Sequence, residues 1–381
     1  MPDQDRRVRR ELLIAMGAGA LTASVSACAP LGKRAPNYSR PYSRNPWAAP
    51  RISMDNVIRV IVGHRPYRPS GFVVRSESFD DKIVVHNYGH GGGGLSLSWG
   101  SSALAVRETL GMQAGEVAVI GSGIMGLTSA RLLQDAGWTV TIYTRNVARH
   151  TTSNVAAGEW SPYSVFDPAV ASDAFRSQLG WAARIAHHAY TNLGGADYGV
   201  RWLEAYSLQD TLNNGDAGDA GDLSDLFPFS ATLGPGEHPF PSPYARRFVT
   251  MQIDPAVLLR RLIRDFQASG GRFVIRNFSS RSDVLSVPEP VIFNCTGLGA
   301  AELFGDTELT PAKGQLVYLP PDPAIDYFTF GGGRGILYMF PRSDVLLLGG
   351  TFKLGDYTTN PEADETERIV REHQRLFSEF G

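Results

Sequence analysis

Cysteine is scarce: the 381 residues hold two, Cys28 and Cys295. Unless those two pair, no disulfide framework holds the fold, and Cys28 has another use below. Charge of one sign is missing as well, since a net charge of -2 offers no nucleic-acid surface. The small and apolar stretch from Leu12 to Ala27 is too short and too rich in Gly and Ala for a membrane span. No Ser-His-Asp or metal-ligand constellation is evident. His86 and His90 stand four apart, a spacing that suits metal ligands on a helix, but the glycines after His90 exclude a stable helix. Both are expected to hydrogen-bond the turn. The acidic segment Asn213 to Asp222 lacks EF-hand spacing and its terminal glutamate, which leaves a solvated loop.

What is present is an ordinary globular balance, 43% hydrophobic and 19% charged, with length for one large or two medium domains. The 41 glycines cluster at a few places, as tight turns and phosphate contacts require. One cluster carries chemistry. Val117-Ala118-Val119-Ile120 is a short buried strand, and Gly121-Ser122-Gly123-Ile124-Met125-Gly126 follows at once. A helical pattern through Leu132 and Leu133 stops near Gly137, and Trp138 to Tyr143 reads as the next strand. Strand, G-x-G-x-x-G, helix and strand together form a dinucleotide-binding unit. Gly121 permits the turn, Gly123 lets the backbone approach a pyrophosphate, and Gly126 lets helix and strand pack closely. The N–H groups of Ile124 and Met125 open a helix whose positive end suits an anion. The usual acidic residue for the adenosine ribose is missing: the second strand ends Tyr143-Thr144-Arg145-Asn146. The pattern therefore leaves NAD and FAD open, with Arg145 as a ribose or phosphate contact.

Several further segments resemble D-amino-acid oxidases. Thr151-Thr152-Ser153-Asn154-Val155-Ala156-Ala157-Gly158-Glu159-Trp160-Ser161-Pro162-Tyr163 is similar to the stretch that wraps the flavin in that family. Phe293-Asn294-Cys295-Thr296-Gly297 resembles its strand-to-glycine turn beside the cofactor. Lys313-Gly314-Gln315, Tyr338-Met339-Phe340-Pro341 and Leu348-Gly349-Gly350-Thr351 also match. Gly63-His64-Arg65-Pro66-Tyr67-Arg68-Pro69, with Val85-His86-Asn87-Tyr88-Gly89-His90-Gly91-Gly92-Gly93-Gly94, resembles the family's substrate-arginine and flavin-covering signatures. The resemblance spans about residues 56 to 380. In ordinary members the arginine and four-glycine segment comes last. Here it precedes the dinucleotide unit, so the chain looks circularly permuted, or else exchanges residues 56–110 between two chains. A second departure is the short run Gly331-Gly332-Gly333-Arg334-Gly335 before Tyr338, where vertebrate members have a longer lid with an extra tyrosine.

The resemblance implies an FAD-dependent oxidoreductase that deaminates D-amino acids to 2-oxo acids by hydride transfer to flavin N5, with O2 as the electron acceptor. Its site residues would be Arg65, whose guanidinium grips the substrate carboxylate at two points, and Tyr338, whose hydroxyl donates to the same group. Arg68 is expected to be structural. Gly91, Gly92, Gly93 and Gly94 would let backbone N–H groups crowd the isoalloxazine. Leu95 follows, and Ser96 would open a helix, expected over 97–110, whose positive end stabilises negative charge on the flavin. Thr151, Thr152, Ala157, Gly158, Thr296 and Gly297 complete the expected cofactor contacts. Rival readings are a glycine or secondary-amine oxidase, and an exported flavoprotein that binds a ligand without turnover.

The expected fold is α/β: a doubly wound Rossmann-type FAD domain, interleaved with a mixed-sheet substrate domain. The FAD domain takes 56–165 and 251–300, the substrate domain 166–250 and 301–355, and a terminal helix 356–381. Ahead of these, Arg9-Arg10 before a weakly apolar run resembles a twin-arginine export signal, and Val25-Ser26-Ala27-Cys28 resembles a bacterial lipobox. Residues 1–28 are thus read as an export signal and 29–55 as a tether, with an uncleaved anchor or a disordered tail as alternatives. A periplasmic or envelope lipoprotein, touching membrane only through lipidated Cys28, is the expected destination.

Overall fold

The computed structural model describes residues 39–43, 45–146, 151–212, 223–333, 336–378 and 380. Arg9, Arg10, Cys28 and the acidic loop 213–222 lie outside the described residues, as do Arg334 and Gly335. The chain runs through β1 (Arg59–Tyr67), the hairpin β2 (Val73–Phe79) and β3 (Lys82–Tyr88), α1 (Gly94–Arg107), β4 (Glu116–Ile120), α2 (Ile124–Asp135) and β5 (Thr139–Thr144). Next come α3 (Asp173–Asn192), β6 (Val200–Gln209), β7 (Ala231–Leu233), β8 (Tyr244–Ile253), α4 (Pro255–Ala268), β9 (Arg272–Ile275), α5 (Arg281–Leu285), β10 (Val291–Asn294) and α6 (Gly299–Phe304). The last elements are β11 (Thr310–Leu319), β12 (Tyr327–Gly331), β13 (Tyr338–Pro341), β14 (Leu346–Gly349), β15 (Lys353–Leu354) and α7 (Ala363–Phe377).

Among the described residues these strands form two sheets. The first has six strands in the order β2-β3-β10-β4-β5-β9, parallel except for the β2–β3 hairpin. Alternation along β4 shows why it is buried on both faces. Val117 and Val119 pack with Leu127, Ala130 and Leu133 of α2, while Ala118 and Ile120 turn the other way onto Val284, Val287 and Leu303. Helices therefore cover both faces, the doubly wound arrangement. The second sheet is mixed, with the order β1-β11-β14-β13-β12-β6-β8-β7 and β15 added against β11. Most of its pairings are antiparallel, but β12 runs parallel to β6.

The strands and helix of the dinucleotide unit fall where periodicity placed them. So do the helix expected over 254–268 and the strand Val291–Asn294. Three expectations shift. The first helix starts at Gly94 rather than at Ser96 or Leu97, because Gly91–Gly93 already coils as one tight turn and feeds it directly. Arg65, which Pro66 and Pro69 after it suggest lies on a loop, sits within strand β1. Finally, β1 pairs with β11 from Arg59↔Tyr318 to Tyr67↔Thr310, so residues 59–67 join the mixed sheet rather than the cofactor layer expected from residue 56.

Candidate active site

The carboxyl ends of β4, β5 and β10 open onto a cavity of about 990 Å³. Crevices outside the carboxyl ends of such strands are where open α/β sheets bind ligands. Gly121, Gly123, Ile124, Met125, Arg145, Thr151, Thr152, Ala157, Gly158, Thr296 and Gly297 line it, and so do Gly91, Gly92, Gly94, Leu95, Arg65 and Tyr338. Gly93, Ser96 and Gly126 do not, and each has a structural task instead. A Cβ on Gly93 would strike Val165 at 2.6 Å. Ser96 Oγ donates to the carbonyls of Glu159 and Ser161 and accepts from the Ser161 N–H, stitching α1 to the 151–163 segment. A Cβ on Gly126 would lie 1.9 Å from the Gly121 carbonyl oxygen, so this glycine sets the helix–strand approach.

The remaining turn glycines divide the work. Gly121 holds φ +109° and passes within 2.6 Å of the Cys295 carbonyl, measured from the Cβ it lacks. Gly123 has ordinary backbone angles, and a Cβ there would meet only Ser153 Oγ, at 3.3 Å. Its freedom from a side chain therefore serves the cavity and not the fold. Beside it the Ile124 N–H donates to Ser153 Oγ at 3.0 Å. Ser122 ties the turn to the end of β5 through Thr144 and the Asn146 carbonyl. An uncluttered glycine turn, a helix N-terminus and the exposed Arg145 suit a dinucleotide pyrophosphate and ribose.

At the sheet side of the cavity, Arg65 from β1 and Tyr338 from β13 meet: the guanidinium Nη2 donates to the phenol oxygen at 3.1 Å. Among the described residues, Arg65 Nη1 is buried with no hydrogen-bond partner. Phe352 lies 5.8 Å from the guanidinium, and Phe330 and Phe340 wall the same cavity. Two glycines whose part was not legible in sequence make this pair possible. A Cβ at Gly314 would fall 2.4 Å from Arg65 Nη1, and one at Gly349 would fall 2.0 Å from the Tyr338 ring. The segments Lys313-Gly314-Gln315 and Leu348-Gly349-Gly350-Thr351 thus clear room for the two polar side chains.

Other roles also emerge only in three dimensions. Arg342, buried and paired with Asp344, donates to the carbonyls of Asn154 and Ala156, which fixes the 151–158 segment against the mixed sheet. Arg276, Asn277, Phe278 and Ser279 line the cavity beside Arg145. Arg68 bonds Asp306 at 2.8 Å, together with Ser70 and the Gly71 carbonyl, a structural task as expected. The histidine expectation needs correction. His86 reaches Glu77 and Asn294 across neighbouring strands, at 3.0 Å each, and burial lowers its pKa. His90 stacks on Phe72 at 4.5 Å, its Nε2 is buried without a partner among the described residues, and burial pushes its pKa down to about 3. Both rings serve packing and strand contacts because the turn's backbone is satisfied without them: the Gly92 N–H donates to Ser164 and the Gly93 N–H to the His90 carbonyl.

The FAD dependent oxidoreductase family (DAO) matches residues 116–381. The chain is 34% identical to a D-amino-acid oxidase of Streptomyces coelicolor over 272 residues, 70% of this chain and 79% of that protein. It is 25% identical to a D-aspartate oxidase of Homo sapiens over 265 residues, 68% and 75% of the two chains. In fold it is similar to the glycine oxidase from Geobacillus kaustophilus, with a TM-score of 0.50 and 20% identity over 69% of this chain and 78% of the other. A glycine turn that clears a dinucleotide cavity, and a family match over most of the chain, make this protein a member of the FAD-dependent oxidoreductases of the DAO family.

Proposed function

We propose that the protein catalyses oxidative deamination of D-amino acids to 2-oxo acids. The observation that carries this reading is the Arg65–Tyr338 pair in the cofactor cavity. Among the described residues Arg65 keeps one buried N–H nitrogen unpartnered, and Tyr338, whose oxygen already accepts from Arg65, has its own O–H to give. A carboxylate takes both: two N–H bonds from the planar guanidinium and one O–H bond from the phenol. Phe330 and Phe340 exclude water from beside it, which strengthens those bonds. Bound FAD supplies the hydride acceptor, at flavin N5. The substrate α-carbon would lose its hydride and the nitrogen a proton, leaving an imine that water hydrolyses to the 2-oxo acid and ammonia, and O2 would take the two electrons and two protons as H2O2. Anaerobic mixing tests the reading: the flavin absorbance should bleach with D-amino acids and not with their L enantiomers. Faster bleaching by glycine or sarcosine than by D-alanine would replace it with a glycine or secondary-amine oxidase. Flavin that no amino acid bleaches would leave a ligand-binding protein.

The segment order supports circular permutation. Gln374, near the end of α7, donates to the Ile52 carbonyl at 3.0 Å, so the end of the helix stands beside the approach to β1. A chain in the ordinary family order would run directly from one to the other. The α1–β4 connection, 108–115, carries Gly111 and Gly115, around which a side chain would meet nothing. We also infer export with lipidation at Cys28. Replacing Arg9 and Arg10 by lysine should retain the protein in the cytoplasm, and normal export of that variant would reject the signal.

A further inference from the structure

One carboxyl in the cavity has no task in the chemistry above. Glu159 lines it, and its Oε1 is buried with no hydrogen-bond partner among the described residues. The backbone leaves little choice about where this residue stands. Glu159 bridges to Gln252 of β8, the Trp160 N–H bonds the Met251 carbonyl, and Ser96 Oγ donates to the Glu159 carbonyl. Two elements, β8 and α1, therefore hold the residue at the edge of the mixed sheet, the sheet that also supplies Tyr338 and Phe330. An unpartnered buried carboxyl costs stability, and a fold keeps one where a ligand completes it.

The cavity thus contains two incomplete groups of opposite character, Arg65 Nη1 and Glu159 Oε1, and they form no ion pair with each other. Burial alone raises the Glu159 carboxyl well above the usual range, with no arginine offsetting it. Arg65 is therefore not its neutralising partner. A substrate α-ammonium sits one carbon from the carboxylate that Arg65 holds, so it stays close to the guanidinium. A cation carried farther along the substrate reaches other parts of the cavity wall, Glu159 among them.

We propose that Glu159 determines side-chain specificity, and that the preferred substrates are amino acids whose side chain ends in an ammonium or guanidinium group. The inference rests on the amino-acid oxidase reading above. Such a side chain exchanges water for a charge-assisted contact and completes the orphaned oxygen, while a neutral side chain of equal length leaves it bare. Burial disfavours the ionised carboxyl in the empty site, and a bound cation favours it. The preference for cationic over neutral substrates should therefore grow as pH rises.

The test compares kcat/KM for D-lysine with D-norleucine, and for D-arginine with D-citrulline, using FAD-loaded wild type, Glu159→Gln and Glu159→Leu. In wild type the cationic member should be favoured, increasingly so at higher pH. Both variants should lower that ratio by about tenfold or more, and remove its pH dependence. The flavin spectrum of each variant confirms that it is folded and loaded. Wild type that oxidises neutral amino acids with no cationic preference would overturn this inference alone. The same holds for a ratio that Glu159→Gln leaves unmoved, or an equal loss on all substrates, which would make the carboxyl a general proton acceptor or a flavin contact. Absence of oxidation with every amino acid would overturn the underlying reading as well.

Discussion

Arg65 shows how a single residue is made specific by its neighbours. Its guanidinium is anchored on one nitrogen by Tyr338 and left open on the other. Removing one partner of a hydrogen-bonded charge pair costs roughly 2–5 kcal/mol, or about thirtyfold to several-thousandfold in kcat/KM. Arg65→Leu should therefore keep FAD and lose most amino-acid oxidation, and Arg65→Lys should recover only part, because an ammonium lacks the planar two-point contact. Amines without a carboxylate are the control; equal losses for them would mean that Arg65 supports the flavin or the fold. Gly314 tests the same site from the other side. A methyl group at this position meets the guanidinium tip, the movable end of a flexible side chain. Gly314→Ala should displace Arg65 with little loss of stability and shift kcat/KM in the direction of Arg65→Leu. Unaltered kinetics would show that Arg65 has slack.

At the scale of the element, the strand–turn–helix unit β4–α2 separates two demands that one glycine motif satisfies. Gly123 faces the cavity with space around it, whereas Gly126 lies against the Gly121 carbonyl. Gly123→Val should release FAD while the apoprotein keeps its cooperative unfolding transition. Gly126→Ala should destabilise the apoprotein itself, by about 1–3 kcal/mol or more, as overpacking does in a close-packed interior. Denaturant titration with and without added FAD distinguishes the two, and equal apoprotein stability would refute the division. Periodicity made this unit legible because its information is local: an apolar run, three glycines at fixed spacing and an apolar helix face. The role of Ser153, which accepts from the first helical N–H, was not legible because it arrives from the 151–163 segment after an intervening strand.

For the whole molecule, the closeness of Ile52 to Gln374 makes the order of segments a testable matter. A rearranged chain that starts near residue 115 and carries residues 56–112 after residue 378 should fold, bind FAD and show the parent's substrate preference. Failure to fold, with the parent chain dimeric, would favour exchange of that segment between two molecules. Global stability should also carry the mark of His90. Its pKa is about 3 in the fold, against roughly 6.5 for an unfolded chain. The unfolded state thus takes up a proton that the folded state refuses. Stability is fully present above about pH 6.5 and falls as pH drops toward 3, by on the order of 1 kcal/mol per pH unit from this residue. His90→Phe, which keeps a ring against Phe72, should flatten the decline between pH 6 and 4 in unfolding measurements (a window set by those two values). An unchanged slope would assign the acid sensitivity to other groups.

The sequence by itself determined the dinucleotide turn and the strands and helix around it, because residue spacing and glycine placement carry that information along the chain, while Arg65 and Tyr338 were singled out by the family resemblance. Only the tertiary structure decided that Arg65 lies on a strand of the mixed sheet, and that it meets a tyrosine 273 positions away. The same holds for Gly314 and Gly349, whose missing side chains make the space, and for Glu159, whose Oε1 has no hydrogen-bond partner among the described residues. These facts depend on register between strands far apart in sequence, and register is set by how whole sheets pack, not by any short run of residues.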